Sequence, residues 1–374
     1  MKFLIIAPRF HTNLYYRAKA LQDAGHHVKV VVLYQGKSEY YQNIETQVLK
    51  LSFFSRFISK ILRRLKKNHL KTGFELRIET PDKELNKIFK AYRPDIVLLK
   101  AYQNLLAVKS LIIAKKYKAK VLMLTQTPYN HIKGSKFLFK LNILIFKYLK
   151  VCAYLTPIKI NYDIFKEAGI ENIYYLPFVY PVKDMEIKKP EDEIKILSVG
   201  KFQKRKEQLL LLKTVHRLIK EGFDIKLCFI GEAVNLKYIK TLYNYINKEG
   251  ISDKVCIETN MPYKIISKEY KNYDLFVLPA YNEPAAYSPV EALANGLPVI
   301  CSDQNGTKCY IEEGQNGSIF KAKNEDDLYK NIKGCISDKE KLYRLKQNAL
   351  HSAKENHHPD NYSVQILKIC KNAK

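Results

Sequence analysis

Two glutamates, Glu283 and Glu291, stand eight positions apart in the stretch PAYNEPAAYSPVEALANGLPVI (279–300). Apolar runs of strand length flank them, YDLFVLP before and LPVICS after, so the segment reads as strand, loop, short helix and strand, one parallel crossover unit. Ser288 suits an N-cap, Pro289 the first helical position, and Gly296 followed by Pro298 supplies the stop. The backbone N–H groups of Ser288, and of Tyr287 and Ala286 just before it, would face the carboxyl end of the preceding strand, where open parallel sheets bind ligands and where an anion belongs. The same residues also fit a capping box, in which Glu291 folds back onto the N-terminus of its own helix. This motif alone leaves both readings open.

A second element lies about eighty residues earlier. The stretch ILSVGKFQKRKEQLLLLKTVHRLIKEG (196–222) reads as a buried strand, a loop entered through Gly200, and an amphipathic helix with Leu209, Leu212, Val215, Leu218 and Ile219 on one face. Lys201, Lys204, Arg205 and Lys206 crowd that loop. Four cations in six residues usually make a solvated face, and Lys204 is read that way. Lys201 leaves the strand end and Lys206 opens the helix, where the helix dipole disfavours a cation unless an anion is bound between them. A local rule broken at two positions marks a candidate site.

These residues resemble the retaining nucleotide-sugar glycosyltransferases of the GT-B fold, specifically the family 4 group. That family's Glu, seven residues, Glu motif matches Glu283 and Glu291; its strand-end Gly-Arg and following Lys match Gly200, Lys201 and Lys206, with lysine in place of the arginine. GLPVICSDQNGTKCYIEEGQNGSIF (296–320) is also similar, and the resemblance covers most of residues 194–330. It implies that Lys201 and Lys206 grip the donor diphosphate, that Glu291 binds the ribose hydroxyls, and that Glu283 holds the sugar being transferred rather than acting as a nucleophile. Backbone amides at Ala286, Tyr287 and Ser288 complete the expected donor site with Gly200. No cofactor or metal is implied beyond a nucleotide diphosphate sugar as donor substrate. Where the family often has Gly-Phe-Gly after the first glutamate, this chain has Pro284, Ala285 and Ala286.

The positioning elements read as two α/β halves, an α/β GT-B-like arrangement of two Rossmann-like doubly wound domains facing each other across a cleft. Strands are expected at MKFLIIAP, VKVVVL, PDIVLLK and KVLMLTQT in the first half and at KILSVG, IKLCFIG, KVCIE, DLFVLP and PVICS in the second. Around residues 179–193 the apolar pattern lapses into prolines and charges, which places the boundary between domains 1–182 and 183–374, with the final helix able to pack back on the first domain. The first half resembles the family loosely. Arg9, Phe10, His11, Thr12 and Asn13 stand in place of the usual glycine-rich loop, and Gln126 in place of a strand-end histidine. His11 and His131 are further candidates for the first half's side of the cleft.

Seven cysteines without a CxxC pair argue against a metal site or a disulfide framework and for a reducing compartment. The opening MKFLIIAPRF has too short an apolar run for a signal peptide and reads as the first strand. Of the net charge of +27, residues 1–182 carry +21 and residues 183–374 carry +6. The segment 50–71, running from Lys50 to Lys71, has eight Lys/Arg and no acidic residue, with Phe54, Phe57, Ile58, Ile61, Leu62 and Leu65 at helical spacing. It reads as a cationic amphipathic helix suited to an anionic membrane surface. A similar segment, 133–151, reads as packing against the sheet with its lysines in water. The expected protein is a cytoplasmic enzyme, peripheral at the inner face of the membrane, that moves a sugar to a lipid-linked or glycan acceptor in cell-surface polysaccharide or lipopolysaccharide synthesis. Two alternatives stand beside it. A basic nucleic-acid-binding protein lacks any helix-turn-helix, zinc or RNP-like pattern here, so no specific nucleic acid is expected. A non-catalytic sugar-binding relative would have no need of both glutamates and both lysines.

Overall fold

The computed structural model describes residues 1–34, 43–50, 81–100, 105–126, 144, 148 and 151–372. Its inner strands are runs of apolar residues buried on both faces, the pattern that parallel sheets covered by helices require, while the edge strands Glu45–Val48 and Val255–Thr259 are largely exposed. The first sheet is built from β1 (Lys2–Arg9), β2 (His27–Tyr34), β3 (Glu45–Val48), β4 (Ile96–Lys100), β5 (Lys120–Leu124), β6 (Ala153–Thr156) and β7 (Ile173–Tyr175), in the order β3-β2-β1-β4-β5-β6-β7. The second contains β8 (Ile194–Val199), β9 (Ile225–Gly231), β10 (Val255–Thr259), β11 (Leu275–Leu278), β12 (Val299–Ser302) and β13 (Gly317–Phe320), in the order β10-β9-β8-β11-β12-β13. Every pairing in both sheets is parallel. The two Rossmann-like halves expected from the sequence are therefore present.

Each sheet belongs to its own compact unit. Among the described residues the first unit takes 1–126, 144–176 and 359–372, and the second takes Pro177–His358. The chain passes from one to the other at Leu176/Pro177, where the sequence suggested 182/183, because Phe178 and Tyr180 are already core residues of the second unit. The closing helix Pro359–Asn372 lies in the first unit, with the Arg17 guanidinium 5.5 Å from the centre of the Tyr362 ring and Lys120 Nζ donating to Cys370 O at 2.9 Å. Among the described residues no helix is long and apolar enough to cross a membrane. The two basic segments are not open to description: of 50–71 only Lys50 falls in the described residues, and of 133–151 only Leu144, Tyr148 and Val151 do.

Helix Gln208–Lys220 packs on the second sheet through Leu211, Leu212, Val215 and Leu218, all fully buried. Leu209 and Ile219, expected on the same face, are only partly buried at its margins. Helix Ser288–Ala294 has no solvent face; Pro289 through Ala294 are all buried. It ends at Gly296, whose φ of +71° suits glycine, and a Cβ there would come within 2.3 Å of Ile187 Cδ1.

One buried group near the chain's second passage carries a pH signature. His357 is 1% exposed, its Nδ1 lies 2.7 Å from Phe178 O, and its ring meets Tyr310 edge-on. Burial pushes the imidazole down to about 4, against the opposing effect of the Phe178 carbonyl. Between that value and the ordinary 6.5, the unfolded chain binds a proton that the folded chain refuses. The contribution to stability is therefore complete above pH 6.5 and is lost as pH falls towards 4, by about 3 kcal/mol in total. Melting curves across that interval should show His357→Asn with a visibly flatter pH dependence than the parent protein.

Candidate functional site

Strand order reverses between β8 and β11, since the chain leaves β8 towards β9 and leaves β11 towards β12 on the other side. Ligands of open parallel sheets bind outside the carboxyl ends of strands at such a point. The loops that follow β8, β11 and β12 meet there. Tyr281 N–H donates to Arg205 O at 2.9 Å, Glu283 N–H to Gln304 O at 3.1 Å, and Gly306 N–H to Glu283 O at 2.8 Å. Gly231 lets the neighbouring strand ends close up, because a Cβ on it would fall 2.0 Å from Gly200 O.

The cation-rich loop sorts its side chains by one anchor. Phe202 is fully buried, Lys204 is exposed as the sequence suggested, and the 3₁₀ turn Lys204–Lys206 brings Lys206 inward. Lys206 Nζ meets Glu283 Oε2 at 2.7 Å, with Lys206 8% and Glu283 6% exposed. Arg205 Nη1 reaches the same oxygen at 2.5 Å. The lysine stem runs beside Gly200, where a Cβ would lie 3.4 Å from Lys206 Cε. Burial alone would push the Glu283 carboxyl up; Lys206 and Arg205 overcome that and hold it below the usual range. Two cations on one carboxylate leave the cluster with an excess of positive charge, which favours a further anion.

Lys201 is placed differently. Its Nζ pairs with Glu232 Oε2 at 2.8 Å and its side chain is 43% exposed, so the pair contributes about 0–1 kcal/mol and is readily exchanged for another anion. Ser288 occupies the first helical position rather than the cap, Tyr287 being the cap, and Ser288 Oγ donates to Val199 O at 3.2 Å, tying the helix mouth to β8. Ala286 is buried beside it, and Tyr287 donates its hydroxyl to Val179 O.

Glu291 does not close a capping box. Its carboxylate accepts from Tyr263 OH at 2.6 Å and Tyr270 OH at 2.7 Å, one tyrosine on each oxygen. The residue is 4% exposed, and burial pushes its carboxyl up against the lowering effect of the two hydroxyls. An ionised carboxylate offers about four acceptor positions, so these two bonds leave capacity for ligand hydroxyls. Arg205, Tyr263 and Tyr270 are the site residues that sequence reasoning passed over. In the first sheet, His11 caps the helix that follows β1, and Gln126 lies just beyond the end of β5; His131 falls outside the described residues.

A family model described as glycosyl transferases group 1 matches residues 181–352, which span the whole of this cluster. Residues 181–352 are thus similar to the glycosyl transferases group 1 family. Spore coat protein SA of Bacillus subtilis is 31% identical to the chain over 182 residues, covering 46% of this chain and 48% of that protein. The chain spans about half the length of the curated relatives it matches. The whole chain is similar in fold to Anabaena HepE, whose crystal structure is of a complex with UDP-glucose, at a TM-score of 0.73, 16% identity and 99% coverage of both chains. It is also similar in fold to WaaB, a lipopolysaccharide outer core galactosyltransferase, at a TM-score of 0.68 and 16% identity, covering 100% of this chain and 99% of that one. Those likenesses agree with two Rossmann-like halves of the GT-B type. Within the matched residues 181–352, the switch point gathers the Lys206, Arg205 and Glu283 cluster, the Glu291 tyrosine clamp and the Lys201–Glu232 pair.

Proposed function

We propose that the protein is a retaining glycosyltransferase that moves a hexose from a nucleotide diphosphate sugar to a membrane-associated glycan or lipid acceptor. The observation that carries this reading is the buried Lys206–Glu283 pair, with Arg205 on the same carboxylate, at the carboxyl ends of β8 and β11. Breaking a sugar–phosphate bond heterolytically leaves negative charge on the departing diphosphate. Lys206 and Arg205 are held in place before the reaction and stabilise that charge without reorganising, the arrangement from which enzymes draw most in such steps. They supply the positive charge that a divalent metal would otherwise bring. Lys201 leaves Glu232 for a phosphate oxygen, and the first-turn amides at Ala286, Tyr287 and Ser288 add donors.

Glu283, ionised and fixed by two cations, accepts hydrogen bonds from hydroxyls of the transferred sugar. Glu291 accepts from the ribose hydroxyls with its remaining lone pairs, oriented by Tyr263 and Tyr270. UDP-glucose in HepE makes UDP sugars the first donors to try. A thermal-shift screen against nucleoside diphosphates and their sugars tests this reading. At least one should raise the melting temperature; a flat response to the whole panel would remove it.

The acceptor side rests on charge. Residues 1–182 carry most of the net charge, and the acid-free segment 50–71 is suited to anionic lipid, while WaaB acts on a lipopolysaccharide core. Docking of that kind is worth roughly 1 kcal/mol per basic residue near the bilayer and weakens as salt rises. Exchanging Arg63, Arg64, Lys66 and Lys67 for glutamine should abolish sedimentation with anionic vesicles at physiological salt and leave donor binding unchanged. A quadruple variant that sediments like the parent would remove this reading of the segment.

A further inference from the structure

Cys228 on β9 and Cys256 on β10 are direct register partners in the second sheet. Register partners on parallel strands point to the same face, and adjacent strands run about 4.7–4.9 Å apart, inside the Cα separation of about 4.4–6.8 Å that a disulfide spans. Cys256 Sγ donates to Glu258 Oε1 on its own strand at 3.6 Å. The neighbours of Cys228 on β9, Leu227 and Phe229, face the apolar core on the other side of the sheet. β10 is the edge strand, and Cys256 is exposed while Cys228 is buried. The pair thus joins a thiol that solvent reaches to one held directly behind it, which is the arrangement of an attacked and a resolving cysteine.

We propose that Cys228 and Cys256 form a reversible oxidation site, closing to a cross-strand disulfide when the protein meets a hydroperoxide. The Cys256 thiolate attacks the peroxide oxygen, giving a sulfenic acid and releasing water once the leaving oxygen takes a proton. Cys228 then attacks the Cys256 sulfur and displaces a second water. Two thiols and one hydrogen peroxide become one disulfide and two waters; the sulfurs lose two electrons and the peroxide gains them. The Cys228 thiol is lowered by Cys256 against the raising effect of burial, while Cys256 is pushed up by Cys228, by burial and by Glu258, so the Cys256 proton passes to Cys228 as the exposed sulfur attacks.

The link has a mechanical consequence for the site already described. β10 runs through Asn260–Pro262 into helix Tyr263–Glu269, and Tyr263 donates to Glu291. A disulfide at Cys256 fixes the root of that helix against β9, so the orientation of Glu291 becomes dependent on redox state. This last step rests on the proposed role of Glu291; disulfide formation does not.

The test uses the full-length protein, treated with hydrogen peroxide, alkylated under denaturing conditions and digested with trypsin. The expected product joins the peptides 227–237 and 255–264, is cleaved by dithiothreitol, and lowers the alkylated thiols from seven to five. Cys256→Ser should keep all of its six thiols at the same dose. In Cys228→Ser, where no resolving thiol remains, Cys256 should instead label with dimedone as a sulfenic acid. Absence of the joined peptides while Cys256 oxidises to a sulfinic acid in the parent protein would overturn the proposal, as would an equal yield of links among other cysteines. If the link forms and nucleotide affinity is identical in oxidised and reduced protein, the disulfide stands and its coupling to Glu291 falls.

Discussion

Replacing Lys206 with glutamine is expected to lower kcat/KM for sugar transfer by about 10²–10³-fold, the loss typical when one preorganised donor to a developing oxyanion is removed. Lys206 is nearly fully buried against Glu283, so the same substitution has a structural cost. Removing one partner of a buried ion pair commonly costs about 3–5 kcal/mol, and Arg205, which remains on the same oxygen, reduces that here. The two effects separate in a double variant. Lys206→Gln with Glu283→Gln leaves no unpaired buried carboxylate and should recover much of the lost stability while recovering none of the rate. Rates that return with stability would mean that Lys206 holds the loop and takes no part in the chemistry.

The second large effect is expected at Glu291. Glu291→Gln keeps the size of the side chain and removes the charge that would bind two ribose hydroxyls, so nucleotide affinity should fall by about 1.5–3 kcal/mol, the range for hydrogen bonds to a charged group. The amide still accepts from one tyrosine and donates to the other, so melting temperature should change little. Tyr263→Phe, which frees one carboxylate oxygen without touching the charge, should weaken binding less. A Glu291→Gln variant with unchanged affinity and lowered stability would make the tyrosine clamp purely architectural.

Much of this arrangement is legible in the sequence because buried parallel strands are written as continuous apolar runs. KFLIIAP, HVKVVVL, KILSV and IKLCFIG stand out at once. The strands that escape notice are β3, β6, β7 and β13, three or four residues each; β11 and β12 are as short, but Pro279 and Pro298 bound their apolar runs and mark them. Lys206 is legible because it breaks a local expectation for its position, and Glu283 because of its spacing from Glu291 in the motif that carries the family resemblance. Arg205 is not, since a cation inside a cationic run reads as a solvated face, and only the 3₁₀ turn reveals that two successive side chains share one carboxylate. Tyr263 and Tyr270 are likewise hidden. Their partner Glu291 lies 28 and 21 residues away in sequence, and aromatic residues at an element's start carry no signal of the hydroxyl's destination. Lys201 shows the opposite case, a motif position whose side chain rests on an acidic neighbour, Glu232, that sequence spacing does not pair with it.

The central claim is that Lys206 and its carboxylate form the seat of a nucleotide diphosphate sugar. Calorimetric titration of UDP and UDP-glucose, with other nucleoside diphosphates and their sugars in parallel, into the parent protein and into Lys206→Gln tests it most directly. The account predicts saturable binding of at least one nucleotide to the parent and affinity at least about tenfold weaker in the variant, as expected when a charged hydrogen bond worth about 1.5–3 kcal/mol is lost. Equal affinity in a folded Lys206→Gln protein, or no binding of any nucleotide to the parent, would contradict it.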